Sequence, residues 1–356
     1  EEITKEILDQ YTIDIDLAQE IIKELVNDKE ALLKKCELND EIRQEYFGKI
    51  RVYSTKNNNG YEWKTLNNMA KTTLLDKYYE PSFSLIKYNK RLYYVPLDVF
   101  LKDRRRKVRY SYLKSVCKIQ HKDWNYSKDK NGRIYTNIVN LPSVLIPALR
   151  HESNMRIIEL DISCCQWVFF IYACKNPKEN NLISKFISET RITIDTEDFH
   201  KFCQLVKEGT LYDFIAQQLG RKDRRLGKSL TFEILFGKVF KLDSEELKTV
   251  RTQFPTVLTL VQSFKKKHGY KTLPNSLQSI EANTIINNIL KELYTEGHTY
   301  ILTKHDSFIF PDIQTNDRPI IDVILNKLND TLGDIFNYKV KTYPHNVARV
   351  KDIQLV

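Results

Sequence analysis

Two short apolar segments set the terms for this 356-residue chain: Arg156-Ile157-Ile158-Glu159-Leu160-Asp161 and Thr299-Tyr300-Ile301-Leu302-Thr303-Lys304-His305-Asp306. Both have the length and aliphatic make-up of strands, and each runs into an aspartate. The two aspartates lie 145 positions apart, and the stretch between them carries mostly helical patterning, over residues 210–219, 223–236 and 278–293. With 42% apolar residues the chain can bury a core.

A strand is rigid, so its end presents a carboxylate with little freedom to drift. Two such ends side by side make a cradle for hard cations, since carboxylate oxygens suit Mg²⁺ whereas His- and Cys-rich sets point to zinc. A pair of Mg²⁺ ions about 3.5–4 Å apart supports phosphoryl transfer by activating the attacking hydroxyl and stabilising the leaving group. Aspartate at a strand end is also a turn former, so Asp161 and Asp306 alone leave both readings open.

The segment Arg224-Arg225-Leu226-Gly227-Lys228-Ser229-Leu230-Thr231-Phe232-Glu233-Ile234-Leu235-Phe236-Gly237 adds a second constraint. At about 100° per residue, Arg221, Arg224, Arg225, Lys228, Phe232 and Phe236 share a helix sector of about 120°. On an ordinary amphipathic helix the rings face a core and the basic residues face water; here they form one stripe, cationic first and aromatic after. Such a stripe can hold a nucleoside triphosphate lengthwise, with Arg224 and Lys228 on the phosphates and the two rings against sugar and base.

The charge balance agrees with a polyanionic partner. Lys plus Arg number 56 against 46 Asp plus Glu, a formal charge of +10 that favours nucleic acid through steering and counterion release. The run Lys102-Asp103-Arg104-Arg105-Arg106-Lys107-Val108-Arg109 reads equally as a solvated charged face or a phosphate-tracking surface. Apolar positions Ile7, Ile13, Leu17, Ile21, Ile22 and Leu25 predict amphipathic helices in the first 50 residues, ahead of a basic, Tyr-rich stretch broken at Asn57-Asn58-Asn59-Gly60. The six cysteines form no C-x-x-C pair and no disulfide framework, which points to a reducing compartment, and no apolar run is long enough to span a membrane. Cys164-Cys165 reads as packing behind Asp161, and His121, His151 and His200 as structural or surface residues.

At this point the residues resemble a known family. Arg224-x-x-x-Lys228-x-x-x-Phe232-x-x-x-Phe236-Gly237 is similar to the fingers-helix motif B of family A polymerases, R-x-x-x-K-x-x-x-F-x-x-x-Y-G, with the final Tyr changed to Phe236. Glu159-Leu160-Asp161-Ile162-Ser163-Cys164-Cys165-Gln166 resembles motif A, and Lys304-His305-Asp306-Ser307 resembles motif C. Two weaker matches keep the order: Asn131-Gly132-Arg133-Ile134-Tyr135-Thr136 with Asn140-Leu141 is similar to the segment preceding motif A, and Leu277-Gln278 to the helix start before motif C. The matches span about half of the chain, residues 130–310.

The resemblance implies an α+β right-hand polymerase, with an antiparallel palm sheet and helical fingers and thumb. Residues 1–120 would be a mainly helical thumb and outer palm, 121–175 palm with motif A, 176–275 fingers with motif B, and 276–356 palm with motif C. It implies Asp161, Asp306 and the backbone carbonyl of Ile162 as ligands of two Mg²⁺ ions, with Mn²⁺ able to substitute, and Lys228 as a catalytic cation beside them. Arg224, Lys228, Phe232, Phe236 and Gln166 would bind the nucleotide, and Arg133, Gln278 and His305 the nucleic acid. The partners implied are primer–template DNA, dNTPs and accessory replication proteins, with no membrane, in the cytoplasm of a bacterial or phage-infected cell. Too few residues precede Gly132-Arg133 for the family's exonuclease domain, and Asp14-Ile15-Asp16 sits in helical surroundings, so no proofreading is expected.

Three departures bear on the sugar. The family's DNA polymerases place a Glu five residues after the motif A aspartate as a steric gate against a 2′-hydroxyl; here the position is Gln166, of the same length. Phe236 lacks the hydroxyl with which the RNA enzymes' tyrosine helps select ribose. Both lean towards deoxynucleotides, whereas His305-Asp306-Ser307 is the spelling of motif C in single-subunit RNA polymerases. A primer-dependent DNA polymerase is the first expectation, an RNA polymerase or primase-like enzyme the second. An inactive nucleic-acid-binding relative is the third, and keeping Asp161, Asp306, Arg224 and Lys228 together argues against it.

Overall fold

The computed structural model describes residues 5–33, 37–38, 50–56, 60–65, 83–88, 91–176, 181–238, 245–304, 306–315 and 317–343. The chain opens with the expected short helices, α1 (Lys5–Asp9), α2 (Ile15–Asn27) and α3 (Lys29–Leu33), with the strand β1 (Tyr11–Ile13) between the first two. Asp14 starts α2: its backbone is extended and its side chain accepts the Leu17 N–H at 3.0 Å, while its other oxygen pairs with Arg150 at 2.9 Å. The first aspartate of Asp14-Ile15-Asp16 is therefore a helix cap.

The expectation of mainly helix over residues 1–120 fails in its middle. Strands β2 (Glu37–Leu38), β3 (Ile50–Lys56), β4 (Gly60–Thr65), β5 (Phe83–Tyr88) and β6 (Arg91–Pro96) form one sheet in the order β2-β5-β6-β3-β4. Runs such as Ile50-Arg51-Val52-Tyr53-Ser54-Thr55 are β-branched and aromatic and lack a helical stripe. Of the polar break, Gly60 opens β4 and positions 57–59 lie outside the described residues. The basic run falls on α4 (Leu97–Gln120). Two of its arginines do structural work: Arg104 and Arg105 donate through Nε to the Leu32 and Val26 carbonyls, at the ends of α3 and α2. Lys102, Arg106 and Arg109 remain exposed.

Next come the hairpin β7 (Tyr126–Lys128) and β8 (Ile134–Thr136), a buried 3₁₀ turn at Ser143–Ala148, and β9 (Leu149–His151), which pairs with β1. From there the chain alternates one strand, a long helical excursion, and a return. The strand is β10 (Ile157–Ser163). The excursion is α5 (Cys165–Lys175), α6 (Leu182–Thr190), α7 (Glu197–Lys207), α8 (Leu211–Gln218), α9 (Arg224–Phe236), α10 (Glu245–Gln253), α11 (Pro255–His268) and α12 (Thr272–Ala282). α12 continues through a π-helical stretch, Asn283–Leu290, into α13 (Lys291–Thr295). The return is β11 (Leu302–Lys304), β12 (Ser307–Pro311), the small hairpin β13 (Gln314–Thr315) and β14 (Arg318–Pro319), α14 (Ile320–Leu332), and β15 (Asn337–Tyr343).

The central antiparallel sheet has the order β11-β12-β10-β15. Strand alternation buries Ile158, Leu160 and Ile162 of β10, and Phe308 and Phe310 of β12 join them in the core. α5 is buried along Cys165–Cys174 and forms the centre of that core.

Three sequence expectations need correction here. β10 does not stop at Asp161 but continues to Ser163, because β15 keeps pairing with it as far as Ser163 opposite Asn337. The second apolar segment is not one strand: it turns back as a hairpin with Lys304 opposite Ser307, and Asp306 occupies the turn, a position aspartate favours. Gln278 does not open its helix. α12 begins at Thr272, since Leu273 and Leu277 are both fully buried one turn apart and Pro274 lies in the first turn, where its missing N–H is tolerated. Among the described residues no helix is long and apolar enough to cross a membrane.

Candidate active site

The strand register brings the two aspartates together. Asp161 stands opposite Ser307 of β12 and Lys339 of β15. One position on, the Ile162 N–H donates to the Asp306 carbonyl at 3.1 Å, which ties the turn to β10. A residue's N–H and C=O leave an extended strand on the same edge, so the Ile162 carbonyl also points to the Asp306 side. Burial, and then the Asp306 carboxylate, push the Asp161 carboxyl up to about 6, with Glu159 adding to the push and Lys341 and Lys228 opposing it. Two hard oxygen donors crowded until one resists ionisation are a donor set that fits Mg²⁺, whose charge would relieve the crowding. Among the described residues no three His, Cys, Asp or Glu side chains cluster as a metal site, so Asp161 and Asp306 form a two-carboxylate set.

Alternation puts Glu159 on the same face of β10 as Asp161. Its buried carboxylate accepts from the Tyr343 hydroxyl at 2.7 Å, Lys341 Nζ at 3.3 Å and the Ser307 hydroxyl at 3.4 Å. Lys339 and Lys341, which bring positive charge to this face, escaped the sequence reading because β15 follows the last recognisable motif.

Helix α9 starts at Arg224 because Asp223 caps it, accepting the Arg225 N–H at 2.9 Å. Arg221 therefore lies ahead of the helix and does not share the stripe. Lys228 is exposed, with Nζ 5.5 Å from the centre of the Phe232 ring, and Phe232 stacks on Phe236 at 5.4 Å with an 18° tilt. Arg224 leans back on α8, over the Tyr212 ring at 5.0 Å and 3.4 Å from the Asp213 carboxylate. Gly227 makes that approach feasible: a Cβ there would lie 2.0 Å from the Tyr212 carbonyl. At the other end of α9, buried Lys265 donates to the carbonyls of Ile234 and, at 2.8 Å, Gly237.

A second cluster lies beside the carboxylates. Cys164 adopts a left-handed backbone (φ 53°) and turns the chain from β10 into α5, whose first turn carries Gln166. The Gln166 amide nitrogen donates to Glu281 Oε2, and the same oxygen accepts from Arg133 Nη2 at 2.7 Å. Glu281 is 1% exposed, and burial pushes its carboxyl up to about 7 against the pull of Arg133. Gln166 Oε1 and Arg133 Nε are buried without a hydrogen-bond partner. Gln278 accepts from Asn131 at 2.8 Å, so the loop carrying Arg133 is held to α12 by both Gln278 and Glu281. Arg133, Tyr135, Glu281, Ala282 and Thr303 line a small cleft there. The structure thus brings Asp161 and Asp306 together within the electrostatic reach of Lys228, and Gln166, Arg133 and Gln278 around Glu281, a residue the sequence reading did not single out. His305 lies outside the described residues.

No protein-family model and no curated protein matches the sequence. Among solved structures, the fold is similar to that of the POL domain of Pol1 from M. smegmatis in complex with DNA primer-template and dNTP, with a TM-score of 0.50, 15% identity, and coverage of 95% of this chain and 68% of that one. The α+β, polymerase-like fold expected from the motifs is the fold of this chain.

Proposed function

We propose that the chain is a template-directed DNA polymerase that adds dNTPs to a primer 3′-hydroxyl. The observation that carries this reading is the meeting of Asp161 and Asp306, 145 positions apart in sequence, on neighbouring backbone positions within the electrostatic reach of Lys228. Asp161, Asp306 and the Ile162 carbonyl would hold two Mg²⁺ ions, or Mn²⁺ in their place, and the ions would supply activation of the 3′-hydroxyl and charge for the departing pyrophosphate.

The chain's own residues do the rest. Lys228, exposed at the middle of α9, grips the triphosphate where charge develops, and Arg224 supports it from the α8 side. The stacked Phe232 and Phe236 present a flat apolar surface to the sugar and base. Gln166, buried at the foot of α5, excludes a 2′-hydroxyl by occupying its space. Arg133 and Gln278 read the primer–template from the β7–β8 loop and α12. The similar fold of the Pol1 POL domain, in complex with DNA primer-template and dNTP, supports the same partners.

Primer extension on a primed template with Mg²⁺ and either dNTPs or NTPs tests the proposal. Extension with dNTPs supports it, preference for NTPs replaces it with an RNA polymerase, and binding of primer–template without extension replaces it with an inactive relative.

A further inference from the structure

Glu281 is the least exposed carboxylate described in the molecule, and two donors converge on one of its oxygens. An ionised carboxylate can only accept, so it dictates which way the Gln166 amide faces: nitrogen to Glu281, oxygen away. The oxygen is then buried with nothing in the protein to bond it. A glutamate at position 166 could make this contact only with one of the two buried carboxyls protonated, a cost that Gln166, which donates where they would meet, avoids. The residue at 166 and the residue at 281 are thus chemically tied, and Arg133 supplies the counter-charge at 2.7 Å.

We propose that Glu281 is a positioning residue for nucleotide sugar selection: it fixes the side chain and amide direction of Gln166, so that positions 166 and 281 act as one donor–acceptor pair. This rests on the reading of Gln166 as the residue beneath the sugar. A gate held by a buried partner cannot swing aside to admit a hydroxyl, and rigid support from behind is what separates a discriminating site from a merely occupied one. Arg133 belongs to the same unit, so the loop nearest the primer and the residue nearest the sugar share one anchor.

The test is a swap. Gln166→Glu, Glu281→Gln and the double variant are compared with wild type for single-nucleotide incorporation of dNTP and NTP and for melting temperature. Glu281→Gln should raise the NTP/dNTP preference by about tenfold or more, because an amide at 281 no longer dictates the facing of the Gln166 amide. Gln166→Glu alone should lower both melting temperature and incorporation. The double variant, with the donor and acceptor exchanged, should recover the melting temperature and return the sugar preference to within about threefold of wild type. Two results overturn the proposal: parallel loss of dNTP and NTP use in Glu281→Gln, which marks a purely structural role, or a double variant no better than the worse single. A wild type that extends no primer with either sugar removes the functional reading itself, and this proposal with it.

Discussion

Burial and a neighbouring carboxylate hold the Asp161 carboxyl near 6, a position that only a counter-charge makes comfortable at neutral pH. On the proposed function, Asp161→Asn or Asp306→Asn should therefore abolish primer extension while leaving primer–template affinity nearly unchanged, because that reading assigns the nucleic-acid contacts to other residues. Gel-based extension beside a binding titration checks both halves, and substantial activity in either variant would remove the assignment. Lys228→Ala should cost about 2.7–4 kcal/mol in transition-state stabilisation, the range for losing one preorganised electrostatic donor, read from single-turnover incorporation. These residues were legible because each sits in a short pattern whose chemistry is local: an aspartate closing an apolar run, a lysine on an aromatic stripe. Glu281 was not. In sequence it is one carboxylate on an amphipathic helix, and its meaning comes from Arg133 and Gln166, both more than a hundred positions away.

Helix α9 shows where local propensity and tertiary packing disagree. An Ala is ordinarily better than Gly within a helix by about 1 kcal/mol, yet Gly227→Ala would drive a methyl into the Tyr212 carbonyl of α8. The variant should melt lower than wild type and weaken nucleotide binding by parting the two helices. Lys265→Met tests the far end of α9. Burial lowers the Lys265 ammonium from 10.5 to about 8. Below about 8 folded and unfolded chains both hold the proton and the burial cost is complete; between about 8 and 10.5 only the unfolded chain holds it, so this group makes stability rise with pH. Denaturant titrations across that window should show the rise in wild type and its loss in Lys265→Met. At the alkaline end of that window, where the charge cost is relieved, the variant should also be less stable by about 1–3 kcal/mol, from two carbonyls left without a donor. α9 itself was legible from its helical patterning over residues 223–236 and its stripe. The sheet of β2–β6 was not, because a basic, Tyr-rich composition drew attention to charge and away from the β-branched runs within it.

Across the whole molecule the surplus of +10, with exposed Lys102, Arg106 and Arg109 on α4, should make DNA binding strongly salt-dependent. If six or more phosphates are held, affinity for primer–template should fall by about 10³-fold or more between about 50 and 200 mM salt, measured by fluorescence anisotropy. A flat salt profile would argue against a polyanionic partner. The central sheet carries a different consequence, for how the chain is made. β10 lies between β12 and β15, and both partners are synthesised about 145 residues or more after it. Closing a loop of that length costs about 4 kcal/mol in chain entropy before the first pairing repays it. Until then β10 exposes two unpaired strand edges while the entire helical excursion folds beside it. Closure of this sheet is accordingly expected to be the slow step of folding, and a nascent or refolding chain that fails at it is expected to donate its late strands to the β10 of a neighbour.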